Sequence, residues 1–272
     1  PMEIITSKQN PAVIAAAKLA DKKYREMTRT FAFEGVKLFC EAVSAGVRLT
    51  RVFATEAAYE KYGALLSGAG EDKLTLVSEP VYEKLSFERS PQGIFCVAEY
   101  FEPQTSQGDA SFVIFLDGVS DPGNFGAVLR AADAFGADTV YAGENGADLY
   151  NPKTVRACMG SLFRVRVQRT ADLSSDITRL RENGFRIFAA ALDEHSSDIR
   201  RTDLSGKIGF VIGNEGHGIS DAVRASCSGS VIIPMRQGPQ SLNAAVAAGV
   251  VMWEAARCRD AFPAQDKKYE VL

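Results

Sequence analysis

Two kinds of apolar pattern alternate along this chain, and together they outline two α/β domains. Short runs of apolar and β-branched residues at 30–33, 49–54, 74–77 and 94–98 read as strands. Helical spacing begins near Val36, Glu56 and Glu79, and also covers 10–27, where Asn10 is placed to cap and Pro11 to open the first turn. This predicts a small α/β domain over residues 1–100. The stretch 101-FEPQTSQGDAS-111 is polar, carries Pro, Gly and Ser, and reads as a linker. Beyond it, strands are predicted at 112–117, 139–143, 185–192, 208–213 and 230–234, with helices between them and a long helix over 243–260. Continuous apolar strands alternating with helices predict a parallel sheet covered on both faces. The second domain therefore spans 112–272.

One helix in that second domain breaks its own pattern. Within 118-GVSDPGNFGAVLRAADAFGAD-138, Phe125, Val128, Leu129, Ala132 and Phe135 recur at the spacing of one buried stripe, yet Arg130 sits among them, one turn beyond Gly126. Three loops that follow strands and lead into helices are also unusual: 117-DGVSDPGNFG-126, 213-GNEGHG-218 and 234-PMRQGPQSLN-243. Glycine, proline and small amides allow close backbone approach to a ligand and leave N–H groups free at helix starts. Such loops lie beyond the carboxyl ends of parallel strands, where ligands bind in this class of fold. The glycine order at Gly213, Gly216 and Gly218 is not the dinucleotide fingerprint, and no P-loop motif occurs.

Composition narrows the classes. Of 272 residues, 46% are hydrophobic and 24% charged, ordinary values for a globular protein, and the net charge is −3. No apolar run reaches membrane-spanning length and no basic-then-apolar leader opens the chain, so a cytoplasmic location is expected. The five cysteines, Cys40, Cys96, Cys158, Cys227 and Cys258, show no CxxC pair and are expected as buried thiols rather than disulfide or zinc ligands. His195 and His217 stand apart from any Cys or carboxylate cluster, so no metal is expected. The charge is unevenly spread: residues 1–55 carry a net +4 and residues 56–100 a net −4. On charge alone the basic excess reads as a solvated face.

The segments 124-NFGAVLRAADAFGAD-138, 211-VIGNEGHGIS-220 and 232-IIPMRQGPQSLNAAVAAG-249 resemble, in order and spacing, the three motifs of the SpoU (TrmH) family of RNA ribose 2′-O-methyltransferases, within the SPOUT superfamily. Through 33-FEGVKLFCEA-42 and 90-SPQGIFCVAEY-100, residues 1–100 also resemble the ribosomal-protein-like substrate-binding domain of many members. The resemblance implies S-adenosylmethionine as cofactor, an RNA substrate (ribosomal ahead of transfer RNA), a trefoil knot and a homodimer. It implies Arg130 as the catalytic residue, with Asn124, Glu215, Ser241 and Asn243 completing the active site. It maps the cofactor pocket onto Gly213, Ile233 and Leu242, with Ala191, Asn214, Met235 and Gly218 lining it. One position departs from the pattern: 241-SLNAA-245 has Ala245 where many members carry a second serine.

Chemistry beside the resemblance points the same way. Ile232, Ile233 and Leu242 suit an apolar slot for adenine. Arg130 has two open roles, a base whose proton affinity is lowered or a cation that steadies a developing alkoxide, against the plain reading of an i+3 ion pair with Asp133. Asn124 and Asn243 each have a simpler reading as helix caps. Lys8, Lys18, Lys22, Lys23, Arg25 and Arg29 are expected to contact RNA phosphates, with Arg156, Arg164, Arg166 and Arg169 as further candidates. Val246, Val250 and Trp253 line one face of the closing helix, as interface or as core. An RNA-binding protein of this fold without activity is the competing reading; a dehydrogenase is disfavoured by the glycine order.

Overall fold

The computed structural model describes residues 3–101, 110–191, 193, 195–236 and 241–259. They fall into two compact units. The first comprises the described residues of Pro1–Pro103 together with Asp148–Arg164, and the second those of Gln104–Ala147 and Val165–Leu272.

The chain begins with β1 (Ile4–Ile5), α1 (Pro11–Ala17), α2 (Lys22–Thr28), β2 (Thr30–Glu34), α3 (Val36–Ser44) and β3 (Leu49–Thr55). It continues with α4 (Glu56–Leu66), β4 (Leu74–Val77), α5 (Glu79–Leu85) and β5 (Ile94–Glu99). The sheet order is β1-β4-β3-β5-β2; β1, β4 and β3 are parallel, and β5 runs antiparallel to both β3 and β2. Val13, Leu19, Ala32, Phe53, Val77, Val81 and Phe95 form its core. Asn10 caps α1 as expected, accepting from the Ala12 N–H at 2.9 Å. The helix expected over 10–27 is nevertheless two helices. Helix α1 passes at Lys18–Ala20 into a short 3₁₀ turn, and Asp21, extended (φ −85°, ψ 127°), ends that turn and starts α2, its carboxylate accepting from the Tyr24 N–H at 3.1 Å.

The second part holds β6 (Phe112–Asp117), α6 (Pro122–Phe135), β7 (Thr139–Gly143), α7 (Pro152–Ala157), β8 (Arg166–Thr170) and α8 (Leu173–Glu182). Then come β9 (Arg186–Ala190), β10 (Ser197–Asp198), β11 (Ile208–Gly213), α9 (Asp221–Ser226), β12 (Gly229–Ile232) and α10 (Ala244–Cys258). All strands of its seven-stranded sheet are parallel, in the order β10-β12-β9-β11-β6-β7-β8. Every residue of β6 is buried, which accounts for its unbroken apolar run. The core packs Val113, Phe115, Tyr141, Ile177, Phe185, Ile187 and Val211. The later strand β11 sits between β6 and the earlier β9, and α10 then returns to pack on α6. This order is compatible with the trefoil knot that the resemblance implies.

Four expectations change. In the α6 stripe, Phe125, Val128, Leu129 and Ala132 are buried, but Phe135 is only half-buried and meets the Trp253 ring edge-on at 5.8 Å. Of the five cysteines only Cys96 and Cys158 are buried; Cys40 and Cys227 are half-buried and Cys258 is exposed. The stretch Asp148–Arg164, which includes α7, groups with the first unit rather than the second. It is held there by an ion pair of Asp148 with Arg25, by Tyr150 stacked on Tyr100 at 3.7 Å, and by Phe163 packed on Phe33 at 5.3 Å. The strands expected at 185–192 and 230–234 end early, at Ala190 and Ile232. Residues 102–109 of the expected linker and residue 260 of the expected last helix lie outside the described residues.

Candidate active site

Strands β6 and β11 are neighbours in register, so that Asp117 and Gly213 stand side by side where both strands end. The loops that leave them carry the unusual glycine-rich segments. At Gly213 no side chain fits: a Cβ would lie 2.4 Å from the Gly218 carbonyl carbon and 2.6 Å from the Ile219 nitrogen. That crowding comes from a tight turn in which Asn214 and Gly218 exchange two backbone hydrogen bonds, each 2.9 Å. The Asn214 side chain fastens the turn on both sides. Its Oδ1 accepts from the N–H groups of Gly216 (2.8 Å) and His217 (3.0 Å), and its Nδ2 donates to the Gly118 carbonyl at 2.7 Å. Asp117, only 7% exposed, accepts from the Ser220 N–H at 2.7 Å. The loop carrying Glu215 is thus pinned at both ends to residues 117–118.

Helix α6 starts differently from the simplest expectation. Asp121, not Asn124, is its cap: the Asp121 carboxylate accepts from the Asn124 N–H at 2.8 Å, and Pro122 opens the first turn. This leaves the Asn124 side chain available, and it bridges two other segments. Its Nδ2 donates to Glu215 Oε1 at 2.8 Å, and its Oδ1 accepts from Asn243 Nδ2 at 3.0 Å. Asn243 in turn caps α10, accepting with Oδ1 from the N–H groups of Ala245 (2.9 Å) and Val246 (3.3 Å). The direction of the whole chain of bonds follows from Glu215, because a carboxylate only accepts. The amide nitrogen of Asn124 must face it, the Asn124 oxygen is left for Asn243, and the Asn243 oxygen is left for the helix start.

Arg130 is exposed on α6 and makes no hydrogen bond or ion pair among the described residues. Gly126, one turn earlier, is buried. Ser241 is exposed and makes no hydrogen bond among the described residues. Ile233 and Leu242 are half-buried, and Met235 is 40% exposed. Ala191 lies where β9 meets β12: its N–H donates to the Val231 carbonyl at 3.2 Å, and its carbonyl accepts from the Ser196 hydroxyl at 2.7 Å. In the loop after β9, the Ser230 hydroxyl of β12 and the His195 N–H hold the Asp193 carboxyl below its ordinary range. Burial pushes the nearby Cys227 thiol up to about 11, which keeps it protonated. Ala245 contributes through its backbone N–H, so the missing hydroxyl removes no bond in the network around Asn243. Among the described residues no grouping of His, Cys, Asp and Glu could hold a metal.

The structure therefore joins Asn124, Glu215 and Asn243 directly and gathers Gly213, Asn214 and Gly218 into one turn. It does not bond Arg130 or Ser241 to that network. The pattern missed Asp117 and Asp121 and the role of the Asn214 side chain. Asp121 was findable, since an Asp before Pro and three residues before the next free N–H is a capping signature.

The basic residues separate into two groups. Lys8, Lys18, Lys22, Lys23 and Arg29 are exposed; Lys22 lies 3.7 Å from Glu26, and Arg29 covers the Tyr100 ring at 4.7 Å. Arg25 is not available to phosphate. It is 1% exposed and donates to the carbonyls of Leu19 (2.7 Å) and Ala20 (2.9 Å) and to Asp148 (2.5 Å). Arg156 is bound to Glu88 at 2.6 Å, Arg164 is paired with Glu41, and Arg169 donates to the carbonyls of Ala147 and Glu144. These three also serve structure first.

A family model described as the SpoU rRNA Methylase family matches residues 111–253, and one described as the MRM3-like substrate binding domain matches residues 10–96. The 23S rRNA (guanosine(2553)-2′-O)-methyltransferase RlmP of Bacillus subtilis is 31% identical over 253 residues, 93% of this chain and 98% of that protein. A solved rRNA methyltransferase from Sinorhizobium meliloti is similar with a TM-score of 0.82 at 29% identity, covering 94% of this chain and 98% of the other. An AdoMet-bound rRNA methyltransferase structure from the same organism gives 0.80 at 29% identity, with the same coverage.

Proposed function

Because the chain belongs to the SpoU rRNA methylase family, we propose that it transfers a methyl group from S-adenosylmethionine to a ribose 2′-hydroxyl of ribosomal RNA. The observation that carries this reading is the hydrogen-bonded chain Asn243–Asn124–Glu215, which ties the starts of α10 and α6 to the loop after β11. The residues fit the cofactor. We assign the adenine slot to the half-buried apolar residues Ile232, Ile233 and Leu242, and its polar edges to backbone groups at the ends of the neighbouring strands β9, β11 and β12. When bound, S-adenosylmethionine supplies an electrophilic methyl group on a sulfonium.

The chain's own residues do the rest. Asn214 and Asp117 anchor the Gly213–Ser220 loop near its two ends, so that Glu215 stays in reach of Asn124. Arg130, with no carboxylate partner among the described residues, stands as a positive charge free to meet an oxyanion. We assign it the steadying of the alkoxide that develops on the ribose and the grip on the neighbouring phosphate. Exposed Lys8, Lys18, Lys22, Lys23 and Arg29 position RNA through phosphates, which implies a steep loss of binding with added salt. A second copy of the chain covers the apolar face of α10, where Val246 is 52% and Trp253 48% exposed. We place its work in the cytoplasm, where its ribosomal RNA substrate would be.

The test is transfer of labelled methyl from S-adenosylmethionine to ribosomal RNA, with the site mapped by mass spectrometry, for wild type and Arg130→Ala. The variant is expected to bind cofactor normally in calorimetry and to transfer nothing. Near-wild-type turnover would refute the role of Arg130. Cofactor and RNA binding without transfer by the wild type would favour an inactive RNA-binding protein.

A further inference from the structure

A hollow of about 380 Å³ opens in the first unit between α4 and α5, far in sequence from every residue of the active site. That size lies within the range of small-ligand sites. Its lining includes Lys61 and Tyr62 of α4, Glu79 and Tyr82 of α5, and Gln92 from the loop before β5. Two of these polar groups are already committed. The Tyr82 hydroxyl donates to Glu34 at 3.1 Å, and Gln92 Oε1 accepts from the Val36 N–H at 3.0 Å. The second bond settles the orientation of the Gln92 amide, so its remaining end is a donor. The Lys61 ammonium, the Tyr62 hydroxyl, the Glu79 carboxylate and the Gln92 NH₂ have no hydrogen bond or ion pair among the described residues. An aromatic ring, three donors and one carboxylate therefore line one hollow, and the donors and the carboxylate have no hydrogen-bond partner among the described residues.

Resting on the reading of this chain as an RNA enzyme, we propose that this hollow takes a single unstacked guanine base of the RNA substrate, apart from the nucleotide that is methylated. A flat base stacks on a tyrosine face, the usual way in which proteins hold single-stranded RNA. Guanine alone among the four bases sets two N–H donors side by side, N1–H and N2–H, and these match the two oxygens of Glu79. Its O6 and N7 acceptors match Gln92 and Lys61. The Lys61 ammonium already lies 5.0 Å from the Tyr62 ring centroid, where it attracts that electron-rich edge. Adenine puts an unprotonated N1 where the second carboxylate oxygen needs a donor. Charge also limits the occupant: α4 and α5 carry Glu56, Glu60 and Glu83 as well, which repel a run of phosphates. One projecting base fits this surface and a backbone track does not.

The test uses the full chain with saturating S-adenosylmethionine, which blocks nucleotide entry to the cofactor slot, and titrates guanosine and adenosine 5′-monophosphates by calorimetry. Guanosine monophosphate is expected to bind at least about tenfold tighter. Glu79→Gln should abolish that preference with unchanged melting temperature, and Gln92→Glu, which keeps an acceptor for the Val36 N–H and removes the donor, should weaken guanosine monophosphate alone. Equal binding of the two nucleotides, no binding of either at millimolar concentration, or a preference that survives Glu79→Gln overturns the proposal. So does capture of a lysine-rich peptide in place of the nucleotide. Methyl transfer is not read in this assay, so failure of the methyltransferase reading shows separately as wild-type protein that transfers no label to RNA.

Discussion

Removing the carboxylate of Asp117 probes the support beneath the loop that presents Glu215. In Asp117→Ala the Ser220 N–H, now bonded at 2.7 Å, loses its acceptor in a part-buried place. An unsatisfied group of that kind costs about 1–3 kcal/mol. Asn214 still ties the loop to the Gly118 carbonyl, so the fold of the sheet is kept and the cost falls on the form of the loop that the Asp117 bond holds. If cofactor binding requires that form, the same energy appears as a loss of S-adenosylmethionine affinity of about 5–150-fold. Asp117→Asn retains an acceptor oxygen and should recover most of the affinity, which separates loss of the bond from loss of the charge. Calorimetric titration of the cofactor, paired with thermal unfolding, reads both quantities. Wild-type affinity in Asp117→Ala, or a deficit that Asn fails to repair, refutes the assignment of this bond.

Three further outcomes are expected. Gly213→Ala forces its Cβ to within 2.4 Å of the Gly218 backbone, which cannot yield as a side chain would, so cofactor binding should vanish in calorimetry; retained affinity contradicts the packing argument. Asn124→Asp should be more damaging to turnover than Asn124→Ala, because it sets a carboxylate against Glu215 where a donor stood at 2.8 Å. The Asp variant should regain rate as pH falls, and a flat pH dependence counts against that repulsion. Burial raises the Glu34 carboxyl above 4.5, against the hydrogen bonds from Ser86, Phe87 and Tyr82 that lower it, so the native state holds this proton more tightly than the unfolded chain. That contribution is complete below pH 4.5 and is lost as pH rises through the raised value. The melting temperature of wild type relative to Glu34→Gln should therefore decline across that window, and a rise there refutes the sign.

What the pattern of residues revealed depended on whether the signal was local. The buried β6 and β11 announce themselves because both faces are covered and no polar residue interrupts them before their ends. The edge strand β8 reads RVQRT, half-buried at most, and left no apolar run to find. The break at Asp21 was local too, but two lysines and an alanine-rich flank masked a cap as a helical surface residue. The grouping of Asp148–Arg164 with the first unit was out of reach, because it rests on Arg25 meeting Asp148 across 123 residues of sequence. The same pair explains why Arg25, one more cation in a basic run, proved to be a buried strut. For the site, motif order brought Asn124, Glu215 and Asn243 together as names. Their bonding needed the sheet order, since β11 must be inserted beside β6 before the two loops can touch.

That dependence carries a mechanistic consequence. Residues 124, 215 and 243 come from three separated segments, yet the acceptor-only chemistry of Glu215 dictates the orientation of both amides along the chain of bonds. Replacing the Glu215 carboxylate by a neutral amide releases the Asn124 amide to turn over. Asn124 would then offer a donor to Asn243, whose own amide is held by its duty as the cap of α10. Two donors would face each other, and the contact between α6 and α10 would open at its N-terminal end. The Glu215 carboxylate thus sets the polarity of the network as its terminal acceptor. The test is Glu215→Gln against Glu215→Asp. Gln keeps the size and presents either end of an amide, so it should lose turnover through disorder of the network. Asp keeps the charge and should retain more activity despite its shorter reach. Gln outperforming Asp would mean that length, not charge, is what the network requires.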